Sequence, residues 1–159
     1  MTAPTPSRPD LPGYGIAPPD GGEGLLPWSW AEERLAASHG YWVATARPDG
    51  RPHATPVWAV WFDGAVWFST GSRTAKARNL ATDPRCTITT ESSTEAVVVE
   101  GTTTLVDPHP QAVASAYEAK YSMGFPPGEP LYRVAPDRAF AFIDEGDRFT
   151  ATATRWVFT

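Results

Sequence analysis

The chain has 159 residues, 42% hydrophobic and 12% aromatic, enough for one domain with a sizeable core. A net charge of −5 argues against a binder of nucleic-acid backbones, which would carry a basic stripe. A single cysteine, Cys86, excludes an internal disulfide framework, the Cys and His spacing fits no zinc pattern, and no apolar run reaches membrane-spanning length, so a soluble, cytoplasmic protein is expected.

Residues 1–27 are rich in Pro and Gly and lack periodicity, which predicts an arm without regular structure. Its Leu11, Tyr14, Ile16, Leu25 and Leu26 are apolar enough for the second half to dock on the body. Residues 28–38 read as a short helix that Gly40 stops. Residues 41–47 and 52–62 read as strands joined by the tight-turn signal Pro48-Asp49-Gly50-Arg51. Asp63-Gly64 turns the chain into a third strand, 65–70. A helix over 74–82 ends at Pro84. Strands at 85–90 and 95–106 follow, then a helix near 110–122 and a Pro/Gly-rich loop over 123–130. Two last strands, 132–144 and 149–157, flank Glu145-Gly146-Asp147. The expected fold is mainly β: a six- to seven-stranded antiparallel barrel with short helices at connections, comprising residues 28–159 behind the arm. Trp58 and Val60 would face one side of their strand, and Val57, Ala59 and Trp61 the other. A strand apolar on both faces needs a cover on each, and a second copy of the chain, in a homodimer, is the simplest.

The most informative stretch is Ser69-Thr70-Gly71-Ser72-Arg73-Thr74-Ala75-Lys76-Ala77-Arg78-Asn79-Leu80. It places hydroxyls, a glycine and cations around a helix start, where free N–H groups and the positive dipole end attract anions. This predicts a phosphate grip. Lys76 and Arg73 are the leading contacts, with Ser69, Thr70 and Asn79 as supporting donors. Ser72 or Thr74 is the natural helix cap, and Arg78 lies on another face. His39, His53 and His109 have no Ser or Cys partner at a recognisable spacing, so no catalytic triad is visible. His53 shares a strand face with Thr55 and Val57 and could line a cleft. Cys86 reads as a small buried apolar residue.

The order Tyr41-Trp42-Val43-Ala44-Thr45, Pro48-Asp49-Gly50-Arg51-Pro52, Pro56-Val57-Trp58, Ser69-Thr70-Gly71, Lys76-Ala77-Arg78-Asn79-Leu80, Asp83-Pro84 and Val98-Val99-Glu100-Gly101 resembles the pyridoxamine 5′-phosphate oxidase-like, FMN-binding split β-barrel family. Within it the chain looks most like the actinobacterial branch that uses the deazaflavin F420. The resemblance implies a homodimer with the cofactor at the subunit interface. It implies phosphate contacts around Ser69, Thr70, Arg73, Lys76, Ala77 and Asn79, with Pro56, Val57 and Trp58 along the flavin-like ring. Trp156, on the last strand, would wall the cofactor, with Arg155, Tyr132 and Arg133 nearby. Trp61 and Trp67 would be core or interface, and Glu100 has no assigned chemistry. FMN-using oxidases commonly carry arginines where this chain has Ala75 and Thr55, which shifts weight from FMN to F420.

The resemblance thus implies an F420-dependent oxidoreductase moving a hydride between the deazaflavin and a small, planar conjugated substrate. The alternatives are an FMN-dependent oxidoreductase of the same fold and a non-catalytic cofactor-binding protein. No metal is expected, nor a nucleic-acid or membrane partner.

Overall fold

Alternation builds the sheet. In β2 (Tyr41–Ala46) every second side chain, Tyr41, Val43 and Thr45, is buried while Trp42 and Ala46 are exposed. β6 (Arg85–Thr90) buries Cys86, Ile88 and Thr90 in the same way. The computed structural model describes residues 3–159 and contains nine strands and four helices in that span, all strand pairs antiparallel. The fold is mainly β, as expected, with more strands than the six or seven anticipated.

β2 pairs on one side with β3 (Pro52–Val57) and on the other with β6. β6 pairs with β7 (Glu95–Leu105), and β7 with the long β8 (Leu131–Ile143). The free edge of β8 is shared. Leu131–Val134 pairs with β5 (Ala65–Ser69), and Arg138–Ala141 pairs with β9 (Thr154–Val157). β5 pairs in turn with β4 (Ala59–Phe62). The run expected as one strand over 52–62 is therefore two, broken at Trp58. Its first half holds β2 and its second holds β5, so the bend at Trp58 closes the ring of strands. Before the bend, β3 has no strand on its second side among the described residues.

β7 carries a bulge between Glu100 and Gly101. A Cβ on Gly101 would lie 2.3 Å from the Ala135 carbonyl oxygen, so only glycine allows the two strands this approach. The barrel interior holds Val43, Phe68, Ile88, Val97, Val99, Val134, Ala139 and Ala141, all fully buried. Helix α1 (Trp28–Ala37) closes the barrel beside β4 and β7 through Trp28, Ala31 and Leu35. α3 (Gln111–Tyr121) covers β4 and makes a second apolar cluster from Val113, Tyr117 and Tyr121 with Val60 and Trp67. Both faces of β4 are thus covered within one chain, so that strand does not need a second copy.

Two expectations at the chain ends are corrected. The arm is not without regular structure: β1 (Pro6–Ser7) pairs with β9. Beside it Arg8, 2% exposed, donates to the carbonyls of Ala153 (3.1 Å), Gly21 (3.4 Å) and Glu23. The Leu26 N–H donates to Thr154 Oγ1 at 2.9 Å. The arm is thus pinned at Pro6–Arg8 as well as at Leu26, not only along its second half. Residues 149–157 are not one strand either. They begin in the short helix α4 (Arg148–Thr152), and only the last part is β9. The Thr-rich sequence favours a strand, but a helical turn lets Phe149 stack on Phe142 (5.8 Å) and meet Tyr14 (6.0 Å), and tertiary packing overrides propensity.

Candidate functional site

Helix α2 (Ala75–Thr82) follows β5 and packs against β2. Its N-cap is Thr74, whose Oγ1 accepts from the Ala77 N–H at 3.3 Å. Thr74 Oγ1 also donates to the Gly71 carbonyl (2.9 Å) and lies 3.3 Å from Thr70 Oγ1. The loop before α2 is held by its own hydroxyls.

One bond sets the position of the helix. Asn79 Nδ2 donates to Thr45 Oγ1 at 2.9 Å, with both side chains buried. Thr45 faces His53 across the β2–β3 ladder, and Val43 faces Thr55. His53 and Thr55 therefore lie on the sheet face beneath α2, on the strand with the open side. Three buried side-chain polar atoms lack a hydrogen-bond partner among the described residues, and His53 Nδ1 and Thr55 Oγ1 are two of them. Leaving such atoms unpaired is costly, so the pair calls for a partner beyond the protein's own groups, a water or a polar ligand.

Lys76 lies one helical turn before Asn79, on the same side of α2. Partial burial lowers its pKa from the usual lysine value. Among the described residues no carboxylate pairs with it. Arg73, three residues earlier, is exposed and likewise has no acidic partner among the described residues. Two unneutralised cations, one on α2 and one just before it, thus belong to the helix that packs against β2, the strand whose partner β3 carries the two unpartnered atoms. The arrangement suits a phosphate monoester or diester with its attached group running along the free backbone edge of β3.

The structure divides the expected site residues. Arg73, Lys76, Pro56 and Trp58 are exposed or half-exposed, with Pro56 on the sheet face opposite to that of His53 and Thr55. Asn79 is buried, and one N–H of its amide is held by Thr45, so it positions α2 against β2. Ser69 Oγ donates to the Pro130 carbonyl at 3.0 Å, Thr70 is tied to Thr74, and Ala77 is a buried contact whose N–H is the capped one. Val57 is 8% exposed, so its side chain belongs to the core and only its backbone borders the cleft. Trp156 is the clearest correction. It is fully buried, packed edge-on against Trp28 at 5.2 Å, and its Nε1 is the third unpartnered atom. Tyr132 is likewise core, stacked on Phe68 at 5.2 Å, while the Arg133 guanidinium lies over Trp67. Arg78 bonds back to the Arg73 carbonyl, and Glu100 makes an exposed ion pair with Arg138 at 3.8 Å.

Sequence reasoning gave Lys120 and Tyr121 no role. At the Trp58 corner Lys120 Nζ donates to Tyr41 Oη (2.8 Å) and to the Ala59 carbonyl (2.9 Å). Tyr121 Oη accepts from the Ala59 N–H at 3.0 Å and donates to the His39 carbonyl at 2.6 Å. Burial lowers the Lys120 pKa to about 8 and pushes Tyr121 up to about 12 and Tyr41 well above the usual phenol range. The helical spacing of Tyr117 and Tyr121 was the available signal, and it predicts only packing.

No curated protein matches the chain. Solved structures do. A conserved hypothetical protein of Mycobacterium tuberculosis is similar at 23% identity with a TM-score of 0.66, over 76% of this chain and 86% of its own. A protein described as an F420 reductase is similar at 21% identity with a TM-score of 0.58, over 68% and 94%. The heme storage protein HutZ of Vibrio cholerae is similar at 16% identity with a TM-score of 0.57, over 70% and 91%. These likenesses establish the split-barrel fold. The sequence profile of pyridoxamine 5′-phosphate oxidase matches residues 30–144, most of the chain, and the protein belongs to that family.

Proposed function

We propose that the chain is a cytoplasmic F420-dependent oxidoreductase that passes a hydride between the deazaflavin and a small planar conjugated substrate. The observation that carries this reading is the unneutralised Lys76 one turn from the Asn79–Thr45 anchor, on the helix packed against β2, whose neighbour β3 carries the unpartnered His53 and Thr55. The deazaflavin would supply the hydride chemistry. The chain's own part is to hold and orient it: Lys76 and Arg73 neutralise the phosphate, and His53 and Thr55 offer polar atoms beside it. The open edge of β3 offers backbone groups to ring heteroatoms. Family membership supports a flavin or deazaflavin in this cleft.

FMN is the second reading, since the family takes its name from a flavin oxidase. Against it stand Ala75 and Thr55, neither of which can replace a guanidinium on a phosphate. A cofactor carrier without turnover is the third, and the similarity to a heme storage protein keeps it in the test.

We place a second copy of the chain against the outer face of the sheet. There Trp42, 48% exposed, stands opposite Pro56 in register, and Val98 stands opposite the half-buried Phe140. A row of this kind on one face is the usual mark of a covered surface. A dimer on that face would complete a cleft bounded by β3.

The test is calorimetric titration of the purified protein with F420, FMN and heme separately, with sedimentation to fix the oligomeric state. Micromolar F420 binding by a dimer supports the proposal. FMN binding alone moves the chain to the flavin reading. Heme binding alone, or no binding, overturns it.

A further inference from the structure

Trp58 is the corner at which the ring of strands closes, and it is not a core residue: it is 43% exposed and absent from both buried clusters. Yet it is held rigidly. Its indole lies parallel to the Tyr121 ring, centroids 4.6 Å apart and planes inclined by 1°. Tyr121 is fixed in turn by its hydroxyl bonds to the backbone of Ala59 and His39. The Tyr117 ring packs beside it, 4.8 Å away. The exposed His39 imidazole stands edge-on to both stacked rings, 5.9 Å from Trp58 and 5.5 Å from Tyr121. Lys120 ties the Ala59 carbonyl to Tyr41 behind them.

The result is a large flat apolar ring with one face backed by a tyrosine and 43% of the residue's surface still exposed. Exposing that much immobilised aromatic surface is unfavourable in water, and stacking another ring on it needs no further ordering of the indole. We infer that the open face of Trp58 is the stacking platform for the planar conjugated ring of the substrate, not a wall for the cofactor. The placement rests on the cofactor reading above. His53, at the phosphate end, is five residues from Trp58, and at about 3.3 Å per residue this is roughly 17 Å along the strand. A cofactor held at Lys76 and His53 would have the intervening edge, Thr55 to Val57, to lie along. Trp58 lies past that edge, so a second flat molecule stacked on it would sit beyond the stretch left to the cofactor. The ligand class that fits is a fused or conjugated ring of low charge, such as a quinone, with the His39 imidazole at the rim for a carbonyl on its periphery.

The experiment uses menadione, a flat naphthoquinone, as the probe. Nuclear magnetic resonance follows the Trp58 indole N–H, assigned by its loss in Trp58→Phe, while cofactor-free protein is titrated. F420 affinity and sedimentation are measured on the same variants. The expected result is a shifted Trp58 signal and menadione binding weakened about tenfold by Trp58→Ala and about twofold by Trp58→Phe. F420 affinity stays within about threefold in both variants. Menadione binding that ignores Trp58→Ala overturns the platform, as does a Trp58→Ala that weakens F420 instead or only dissociates a dimer. F420 binding without menadione binding removes the platform and leaves the cofactor reading standing. Menadione bound at Trp58 by a protein that takes neither F420 nor FMN keeps the platform and removes the cofactor reading.

Discussion

Replacing Lys76 by alanine separates a ligand contact from a structural one. Nothing acidic pairs with Lys76 among the described residues, and its ammonium makes no hydrogen bond there, so the folded chain loses no partner when it is removed. Alanine is also a better helix former, so stability should stay within about 0.5 kcal/mol. A charge-assisted bond from the ammonium to a phosphate is worth about 1.5–3 kcal/mol, which predicts a Kd for F420 raised roughly 10- to 150-fold. The site is open to water, so the wild-type affinity should fall with added salt, and fall less steeply in Lys76→Ala. The pH dependence has a definite sign. Partial burial lowers the lysine pKa, and a bound phosphate favours the protonated form. Affinity therefore holds at neutral pH and declines as pH rises through that lowered value. Calorimetry at two salt concentrations, with thermal melts of the same samples, makes the measurement. A Kd changed by less than about twofold at low salt refutes the phosphate grip. A melting temperature lowered by many degrees refutes the claim that Lys76 is structurally idle.

Gly101→Ala forces a methyl against the Ala135 carbonyl at the β7 bulge, where the separation would be 2.3 Å. The overpacking cost of about 3 kcal/mol should lower the melting temperature by roughly 6–12 °C, and an unchanged melt contradicts the close approach. Cys86 is buried, and burial with Asp137 nearby pushes its thiol up to about 12. It should resist thiol reagents at pH 8 in the native protein and react at once in denaturant, so prompt native labelling counts against its burial. Lys120 has a folded pKa of about 8 against an unfolded 10.5. Between those values the unfolded chain holds the proton that the folded chain has released, so this group makes stability rise with pH. Tyr41, Tyr121 and Cys86, all held protonated by burial, act in the opposite sense above about pH 9. Glu91 is the acidic neighbour that opposes the lysine's loss of charge. The readout is the slope of melting temperature from pH 7.5 to 9, which should be more positive in the wild type than in Lys120→Met; equal slopes refute the assignment.

The sheet was legible because strand burial leaves a period of two in the sequence, and the turns were legible because Asp49-Gly50 and Asp63-Gly64 carry the backbone conformations that turns require, with Gly50, Asp63 and Gly64 all at positive φ. The break at Trp58 was not legible. The run 52–62 is continuous in β-favouring residues, and what divides it is the backbone of Ala59 bonding to Tyr121 and Lys120, more than sixty residues along the chain. The α4 helix was hidden for the same reason: its cause is the packing of Phe149, not its local sequence.

The candidate site shows what residue type alone leaves open. Ser69, Thr70 and Asn79 have the chemistry of phosphate donors, and the stretch containing them does surround a helix start. Yet each has a donor already used by the fold: Ser69 by Pro130, Thr70 by Thr74, and one amide N–H of Asn79 by Thr45. His53 and Thr55 carried weaker signals, and theirs are the polar atoms left free. A sequence reports which hydrogen-bonding groups exist, whereas a ligand site consists of those whose bonds the fold has not already used. Asn79 connects the two groups: by binding Thr45 it brings α2, and with it Lys76, onto β2, beside the strand on which His53 and Thr55 are unpaired. Breaking that bond would therefore displace the cation without touching it, and this is why a buried residue that holds the helix belongs to the account of the site.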